Sequence, residues 1–463
     1  MSKKENDNQA PKTDASKTPE ATPKLKLNTK RTMYIGMAFF TIMMLWQVYN
    51  TYCPLFLTDY FTNTLHLYDG NAEKCSYIVG IIMAMDNIFA LFMIPLFGMW
   101  SDKTNTKLGK RMPFILVGII ASVVLFPLIP ITFINGNVPV MIVIMALILI
   151  FMNVYRNPAV SLMPDITPKP LRSKANAIIN VIGYVGAIFA GILAMIFTAK
   201  ENEAGVLVYD ENTIWIPFAL TAVLMIVALV VLLCKIKENK IAKEMKEQME
   251  LGEKMSETSE QIVEDKPLSK KDKTNLVVLL VAIFLWFFAF NAIETFGSTY
   301  GVKVLEQSSS WWGGAVIVMT ICSLLGFFPG AWIADKAGRR NTVLIGLVIM
   351  VVSLGVASIL AFTMGTSLAW LYYILIGIAG VGWAWINVNS YPMVVEMASK
   401  RNIGKLTGWY YAASMLAQSI TPICIGFLFG VLGYKFLFPY AMLFVLVALV
   451  VFLFYRPQKH DKK

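Results

Sequence analysis

The sequence predicts an all-α membrane protein with about twelve transmembrane helices. Hydrophobic residues make up 57% of the 463 residues, and charged residues make up only 15%, whereas a soluble domain usually carries about 25%. Apolar runs of roughly 20 residues, the length of a helix that crosses a bilayer, recur along the chain. A water-soluble core has no room for this much apolar surface, so we expect a lipid bilayer to surround the protein.

The apolar runs place the individual spans. They are predicted at residues 33–57, 76–100, 112–132, 139–163, 175–198, 213–235, 274–300, 311–334, 341–362, 367–395, 404–430 and 435–455. Because their number is even, both termini are expected on the same side of the membrane.

The connections between these spans alternate in charge. Those on one side all contain Lys or Arg: the N-terminal tail, 102–111, 169–174, 235–273, 335–340, 400–405 and 456–463. Those on the other side are uncharged or carry more acidic than basic residues: 59–74, 135–137, 200–212 and 363–366. Since basic loops stay in the cytoplasm, both termini are predicted to be cytoplasmic. The protein itself is predicted to span the cell (inner or plasma) membrane. The net charge of +11 then reflects topology, and we expect no nucleic acid partner.

A long charged segment divides the chain into two halves. Residues 236–273 are rich in Lys, Glu and Ser and are predicted to be a cytoplasmic linker. Residues 33–235 and 274–456 then form an N-terminal and a C-terminal six-helix bundle related by pseudo-symmetry. Residues 1–32 are predicted to be a disordered cytoplasmic tail because they are polar throughout, and 457–463 a short cytoplasmic tail.

Short motifs repeat at equivalent places in the two halves. The second span ends in Gly98 to Asp102 and is followed by Gly109-Lys110-Arg111, and the eighth ends in Gly330 to Asp335 and is followed by Gly338-Arg339-Arg340. The fourth and tenth spans end in Asp165 and Glu396 and are followed by Arg172 and Arg401.

Carboxylates at helix ends, with Arg or Lys across a short loop, predict ion pairs that form in one conformation and break in another. We therefore assign a gating role to Asp102, Lys110, Arg111, Asp165, Arg172, Asp335, Arg339, Arg340, Glu396 and Arg401. The alternative is that these charges only set the topology.

At these motifs the chain resembles the major facilitator superfamily, whose fold is two six-helix bundles around a central cavity. Three stretches are similar to its glycoside–pentoside–hexuronide and sucrose–proton symporter group: Trp46 to Leu55, Met85 to Pro113 and Tyr155 to Asn176. This resemblance implies a sugar that is carried together with a cation. The melibiose branch has paired acids ahead of the proline of its second helix, whereas this helix has only Asp86, which favours protons over sodium.

Three charged residues lie well inside predicted spans, away from the span ends, where an ionisable side chain costs about 2.5–3.5 kcal/mol on insertion scales and is usually functional. Asp86 in the second span is our candidate for the proton-coupling residue, and Glu294 in the seventh is a second candidate. Arg156 in the fourth span offers five donors that suit sugar hydroxyls. The alternatives are that Asp86 is a structural partner of a helix end or a neighbouring Arg, that Arg156 snorkels to the interface, and that Glu294 lies at a water-exposed helix end.

A sugar site also needs planar polar groups for hydroxyls and aromatic rings for C–H surfaces. Both occur within the predicted spans, and the candidate substrate-binding residues are Trp46, Gln47, Asn50, Arg156, Asn180, Tyr184, Asn291, Trp383, Asn387 and Tyr391, with Tyr411 and Gln418 in the eleventh span. Packing between helices is the alternative role for each of them.

The sequence therefore predicts a secondary active transporter that carries a disaccharide or glycoside, such as sucrose or maltose, together with protons by alternating access. A drug or small-solute efflux carrier of the same fold is one alternative, and a membrane sugar sensor that does not transport is another. No catalytic triad, metal-binding spacing or nucleotide loop occurs in the sequence. We thus expect no enzyme activity, metal or cofactor. The expected partners are a small sugar, protons and the bilayer, and the expected state is a monomer.

Overall fold

The computed structural model describes residues 25–202, 206–259, 269–363, 365–397 and 403–456. Arg401, the 457–463 tail and most of the 1–32 tail lie outside the described residues, so the predictions for them are not addressed below. The side chain of Asp86 also lies outside the described part of the chain, although its backbone belongs to a helix.

The described residues form two sets of helices joined by a linker helix. The N-terminal half contains α1 (Thr29–Asp59), α2 (Ala72–Lys103), α3 (Met112–Leu125), α4 (Leu128–Ile134), α5 (Val138–Asp165), α6 (Arg172–Ile196) and α7 (Ile216–Lys235). The linker helix is α8 (Glu238–Ser259). The C-terminal half contains α9 (Lys270–Lys303), α10 (Ser309–Ala337), α11 (Arg339–Thr363), α12 (Ala369–Glu396), α13 (Ile403–Leu432) and α14 (Leu437–Leu453).

Twelve helical stretches in the described part of the chain are long and apolar enough to cross a membrane, which confirms the predicted fold class. The helices extend beyond the predicted apolar runs, as in the first span, which covers Thr29–Thr64, because the polar ends of a helix continue past the hydrocarbon. The third span is interrupted between α3 and α4 at Pro127, which has no amide hydrogen to donate to the preceding turn.

Helices pack in the same pairwise pattern within each half. In the N-terminal half α1 contacts α6 and α7, while α5 contacts α2 and α3. In the C-terminal half α9 contacts α13 and α14, while α12 contacts α10 and α11. These are equivalent pairs, so the sequence repeat corresponds to a structural repeat.

Four helices at equivalent places in the repeat form the centre of the molecule. In the apolar stretch of each span, buried residues make up 72% in α1 and 56% in α5, α9 and α12. These are the highest values among the twelve spans. Because these helices are shielded from the surroundings by the others, a partly exposed side chain on their facing sides points into the interior of the protein rather than to lipid.

The molecule has two faces, named here for reference. The terminal face contains the start of α1, the loop between α2 and α3, the linker helix and the end of α14, and the opposite face contains the loop between α1 and α2. A two-stranded antiparallel hairpin, β1 (Ala199–Glu201) and β2 (Leu207–Tyr209), also lies on the opposite face.

The two halves are packed closely on the opposite face. A Cβ atom at Gly80 of α2 would lie 2.0 Å from the carbonyl oxygen of Pro422 in α13, and one at Gly313 of α10 would lie 2.5 Å from that of Gly191 in α6. Only glycine permits this approach of two backbones. The Ser76 hydroxyl also donates to the Tyr434 hydroxyl at 2.7 Å. The opposite face is therefore closed.

The hairpin adds a further connection across the halves on that face. The backbone amide of Ala199 in β1 donates to the Ser309 hydroxyl of α10 at 2.9 Å, and the amide of Leu207 in β2 donates to the Asp59 carboxylate of α1 at 2.9 Å. The hairpin thus connects an N-terminal-half helix to a C-terminal-half helix.

Candidate functional site

A cluster of polar and aromatic side chains lies between the two halves. Trp46 of α1 is close to the middle of the Thr29–Thr64 span, and the Arg156 guanidinium carbon of α5 lies 5.5 Å from the centre of its ring, which is within the range of a cation–π contact. The Glu294 carboxylate of α9 is within electrostatic range of Trp46 and of the charge of Arg156. Opposite charges and an indole are therefore placed together near mid-membrane.

All three side chains of this central cluster are only partly buried, although they belong to the central helices. Their exposed surface therefore faces the interior of the protein, between the two halves. Because Trp46 and Arg156 belong to the N-terminal half and Glu294 to the C-terminal half, a relative movement of the halves changes the distances within the cluster.

Aromatic residues surround the central cluster. Tyr184 of α6 is within electrostatic range of Glu294, and its ring lies 6.1 Å, centre to centre, from that of Phe327 in α10. Tyr411 of α13 is within electrostatic range of Arg156 and is 50% exposed. These rings come from both halves and supply the flat apolar surfaces that a pocket for a small organic solute needs.

Three predicted polar residues are buried on the two parallel helices α1 and α9. Gln47, Asn50 and Asn291 are all buried, and the Asn50 carbonyl accepts a hydrogen bond from the Ser298 hydroxyl at 3.4 Å. Within the described part of the chain, Gln47 Nε2 and Asn291 Oδ1 have no hydrogen-bond partner. Buried polar groups are normally paired, so these two atoms are available to a solute, water or a rearranged neighbour.

Other predicted residues lie away from the central cluster or within helix packing. Trp383 is only 8% exposed and stacks on Phe290 with ring centres 3.9 Å apart, so it packs inside the C-terminal half. The Asn180 amide donates to the Asn176 carbonyl of its own helix. Asn387 is partly buried on α12, and Tyr391 lies one turn later in a group of tyrosines with Tyr410 and Tyr411.

The predicted charges on the terminal face form a network around Arg111 in the N-terminal half. The Arg111 Nε atom donates to Asp165 Oδ2 at 2.8 Å, and its Nη atoms donate to the Ser101 hydroxyl and the Asp102 carboxylate. Lys110 Nζ lies 3.2 Å from Asp165. We name these five residues the Arg111 network. Burial alone would lower the pKa of Arg111, but the hydrogen bonds and charges of Asp165 and Asp102 outweigh it, so the pKa is raised and the guanidinium stays charged.

The equivalent region of the C-terminal half contains a simpler arrangement. Arg339 Nε lies 2.6 Å from Glu396 Oε1, and Arg339 Nη1 donates to Asn389 at 3.4 Å. Arg340 donates to the carbonyl oxygens of Tyr455 and Leu453 at the end of α14.

Two residues expected in ion pairs have other surroundings in the structure. Arg172 donates to the carbonyl oxygens of Thr167 and Pro164 rather than to a carboxylate, because the turn between α5 and α6 presents those carbonyls to it. Asp335 is exposed at the end of α10, and within the described ranges no ion pair involves it. The ion pairs of the gating set also join helices of the same half, because each loop folds back onto its own bundle.

Sequence reasoning missed a glutamate that contacts the Arg111 network from the linker helix. Glu238, the first residue of α8, accepts hydrogen bonds from the backbone amides of Lys110, Arg111 and Met112. It stands in a segment rich in charges, so nothing in its local pattern separates it from solvated neighbours. The aromatic partners Phe290, Phe327 and Tyr410 were missed because an apolar residue in a span has many equivalent roles.

Comparisons with known proteins agree with this architecture. Residues 35–393 and 315–463 match the model of the family described as the Major Facilitator Superfamily. Among curated proteins, no sequence matches this chain.

Solved transporter structures share the fold. A D-xylose–proton symporter aligns with a TM-score of 0.67 at 14% identity, over 94% of this chain and 98% of that chain. The inward open xylose transporter XylE from E. coli gives 0.66 at 14% identity, over 94% and 97%. A bacterial homologue of the iron transporter ferroportin in its inward-facing state gives 0.62 at 14% identity, over 93% and 99%. At this identity the likeness concerns the fold alone.

Proposed function

Because the chain belongs to the major facilitator superfamily and is thus a secondary transporter, we propose that it carries a sugar into the cell together with protons. The substrate class that we favour is a disaccharide or a related glycoside. The central cluster of Trp46, Arg156 and Glu294 is the observation on which this proposal rests.

The chemistry of the central cluster suits a neutral polyhydroxylated solute. The guanidinium supplies donors in a planar fork and the carboxylate supplies two acceptors, which together match adjacent hydroxyl groups. The indole ring supplies an apolar face for the C–H surface of a sugar ring. Tyr184 and Tyr411 extend this surface from both halves, and Gln47 and Asn291 offer further polar atoms.

Glu294 is also placed to exchange a proton. Its carboxylate is partly exposed between the two halves, faces Arg156 and lies where a charge is costly unless it is paired. A sugar that engages Arg156 would weaken that pairing and favour the protonated acid, so solute and proton would bind together. Asp86, on α2, remains our first proposed proton-coupling residue on the basis of the sequence, and we propose that coupling requires both acids, so that the loss of either one uncouples transport.

The distribution of charge supports a cytoplasmic location for the terminal face. The loops there carry the Lys and Arg residues of the Arg111 network and of Arg339 and Arg340, and basic loops face the cytoplasm. With the opposite face closed by the contacts at Gly80 and Gly313, this conformation would be open to the inside. Alternating access then requires those contacts to separate.

The similar structures include transporters of other substrate classes, which are the alternatives to a sugar. They include a peptide transporter and a nucleoside transporter, and the opposite charges of Arg156 and Glu294 would also suit the two ends of a peptide. An efflux carrier for apolar compounds fits less well, because a charged pair at mid-membrane is costly in a cavity for apolar solutes. A sensor that binds sugar without moving it would show binding but no flux.

The test is uptake by purified protein in reconstituted vesicles. A panel of monosaccharides, disaccharides, dipeptides, nucleosides and a lipophilic cation is offered with and without an imposed pH gradient that is acidic outside. We expect accumulation of a disaccharide or glycoside that requires the gradient. Uptake of only a dipeptide, a nucleoside or the cation, or sugar binding without flux, would contradict the proposal.

Two matched variants connect that result to the central cluster. Glu294→Gln should keep downhill exchange of the sugar but abolish accumulation driven by the pH gradient, whereas Glu306→Gln, a loop substitution on the same half, should leave both unchanged. If Glu294→Gln accumulates sugar as well as the unmodified protein does, Glu294 has no part in coupling.

A further inference from the structure

We propose that Glu238 is a positioning residue for the gate: it holds the loop that carries Arg111 and so connects the linker helix to the Arg111 network. The contact itself is independent of the substrate. Only its consequence for turnover rests on the proposed function.

The Glu238 carboxylate is buried against the loop between α2 and α3 and accepts hydrogen bonds from its backbone. Glu238 is 3% exposed, and its carboxylate accepts hydrogen bonds from the backbone amides of Lys110 at 3.0 Å, Arg111 at 3.0 Å and Met112 at 3.1 Å. The first amides of a helix have no partner within that helix, and α3 begins at Met112. A carboxylate there is favoured by both hydrogen bonding and the helix dipole.

The loop is shaped around this carboxylate. Gly109 has a φ of +118°, and a Cβ atom at that position would lie 2.2 Å from Glu238 Oε2. The neighbouring Asn239 side chain donates to the carbonyl oxygens of Thr106 at 2.8 Å and Lys107 at 3.1 Å. Two successive residues of the linker helix thus hold both the amide and the carbonyl side of one loop.

The linker helix is itself held against the N-terminal half. Ile241 and Met245 are buried on the same side as Glu238, at the spacing of one helix face. The Arg31 guanidinium donates to Met245 Sδ at 3.3 Å and to the Ile166 carbonyl at 3.4 Å. A Cβ atom at Gly252 would lie 2.9 Å from Pro168. The helix therefore bridges the start of α1, the loop before α3 and the loop after α5.

These contacts give Glu238 an effect beyond holding a helix end. Arg111 is both the residue whose amide Glu238 binds and the residue whose side chain joins Ser101, Asp102 and Asp165. Displacing its backbone moves the guanidinium away from partners on α2 and α5 together. A change in the linker helix is thus transmitted to the gate.

The first experiment does not depend on transport. Amide hydrogen exchange of the full-length protein in detergent is compared for the unmodified chain, Glu238→Gln and the control Glu247→Gln, which changes an exposed acid on the far side of α8. We expect Glu238→Gln to speed exchange about tenfold or more at 110–115 and also at 160–165, the end of α5 that contains Asp165, because local opening free energies set exchange. The second segment is connected to the loop through Arg111.

The second experiment uses a double-mutant cycle on the turnover of folded transporter in vesicles. We expect Glu238→Gln to lower turnover at saturating sugar severalfold without changing the sugar affinity, and Glu238→Gln with Arg111→Gln to be no slower than Arg111→Gln alone. Glu247→Gln should match the unmodified protein in both experiments.

The outcomes are separable. Exchange that rises at 110–115 alone, or rate losses that multiply in the double variant, would overturn positioning and leave Glu238 a helix cap. If the unmodified protein moves no solute, the proposed function fails, and exchange at 160–165 alone decides whether Glu238 acts through Arg111.

Discussion

The loops that follow the second and the eighth span have similar sequences but different surroundings. In the N-terminal half the Arg111 side chain is only 5% exposed and pairs with two carboxylates and a hydroxyl. Its backbone amide also donates a hydrogen bond to Glu238. In the C-terminal half Arg339 is 39% exposed and its partner Glu396 46%. The same motif thus yields a network around a buried arginine in one half and a surface ion pair in the other.

The difference arises from what covers each loop. The linker helix lies over the N-terminal loop, whereas a Cβ atom at Gly338, the equivalent of Gly109, would meet no atom within 4 Å. Exposed ion pairs contribute about 0–1 kcal/mol, while disrupting a buried one costs about 3–5 kcal/mol. We therefore expect the N-terminal loop to move as a rigid unit with its bundle and the C-terminal loop to be adjusted more easily.

Removing the central arginine of each loop should give the largest contrast. Arg111→Ala strands Asp165 partly buried and should cost about 3 kcal/mol in stability, with a loss of transport of more than about tenfold. Arg339→Ala should cost at most about 1 kcal/mol. Thermal unfolding and uptake by the two variants measure this, and equal losses would contradict the comparison.

Substituting the two glycines should give a smaller contrast. Both have positive φ, +118° at Gly109 and +83° at Gly338, so alanine is strained by about 1–2 kcal/mol at either position. Gly109→Ala must also displace Glu238. We expect Gly109→Ala to lower the unfolding temperature clearly more than Gly338→Ala, and the reverse order would show that the linker helix does not constrain the loop.

Neutralising the acids at the ends of α5 and α12 should have a still smaller effect. Asp165→Asn removes a charge that Arg111 and Lys110 share and should cost about 1–2 kcal/mol, whereas Glu396→Gln should cost about 0.5 kcal/mol or less. Chemical or thermal unfolding of both variants tests this. A Glu396→Gln variant as unstable as Asp165→Asn would mean that the C-terminal pair is stronger than its exposure indicates.

Ionic strength should distinguish the ion pairs of the two halves, and we expect this effect to be the smallest. Raising ionic strength from about 0.1 M to about 1 M shortens the Debye length from about 10 Å to about 3 Å. The small destabilisation by Glu396→Gln should then disappear, while that by Asp165→Asn should persist because Arg111 is buried. Persistence of both differences at high salt would remove the distinction between a buried and a surface pair.

The spans and the repeat could be predicted because both follow from the residue composition of short segments. Apolar runs and basic loops located the twelve spans found in the described part of the chain, and the charge motifs located the loops that hold Arg111 and Arg339. The break at Pro127 and the helix ends beyond the apolar runs were less accessible, since polar helix ends look like loop residues.

The candidate site was only partly accessible from sequence, for reasons that differ between residues. Depth in a span singled out Arg156 and Glu294, but their position beside Trp46 depends on how three helices from two halves pack. Trp383 looked the same in the sequence as Trp46, yet it stacks on Phe290. Glu238 was missed because its role comes from three amides more than a hundred residues earlier in the chain.

Solute-driven proton movement tests the central claim most directly. Purified protein is reconstituted into vesicles loaded with a pH-sensitive dye, and sugars are added outside in the absence of any imposed pH gradient. The account predicts that a transported disaccharide or glycoside acidifies the vesicle lumen, and that Glu294→Gln carries the sugar without this acidification. Sugar entry into vesicles of unmodified protein with no change in internal pH would contradict proton-coupled symport.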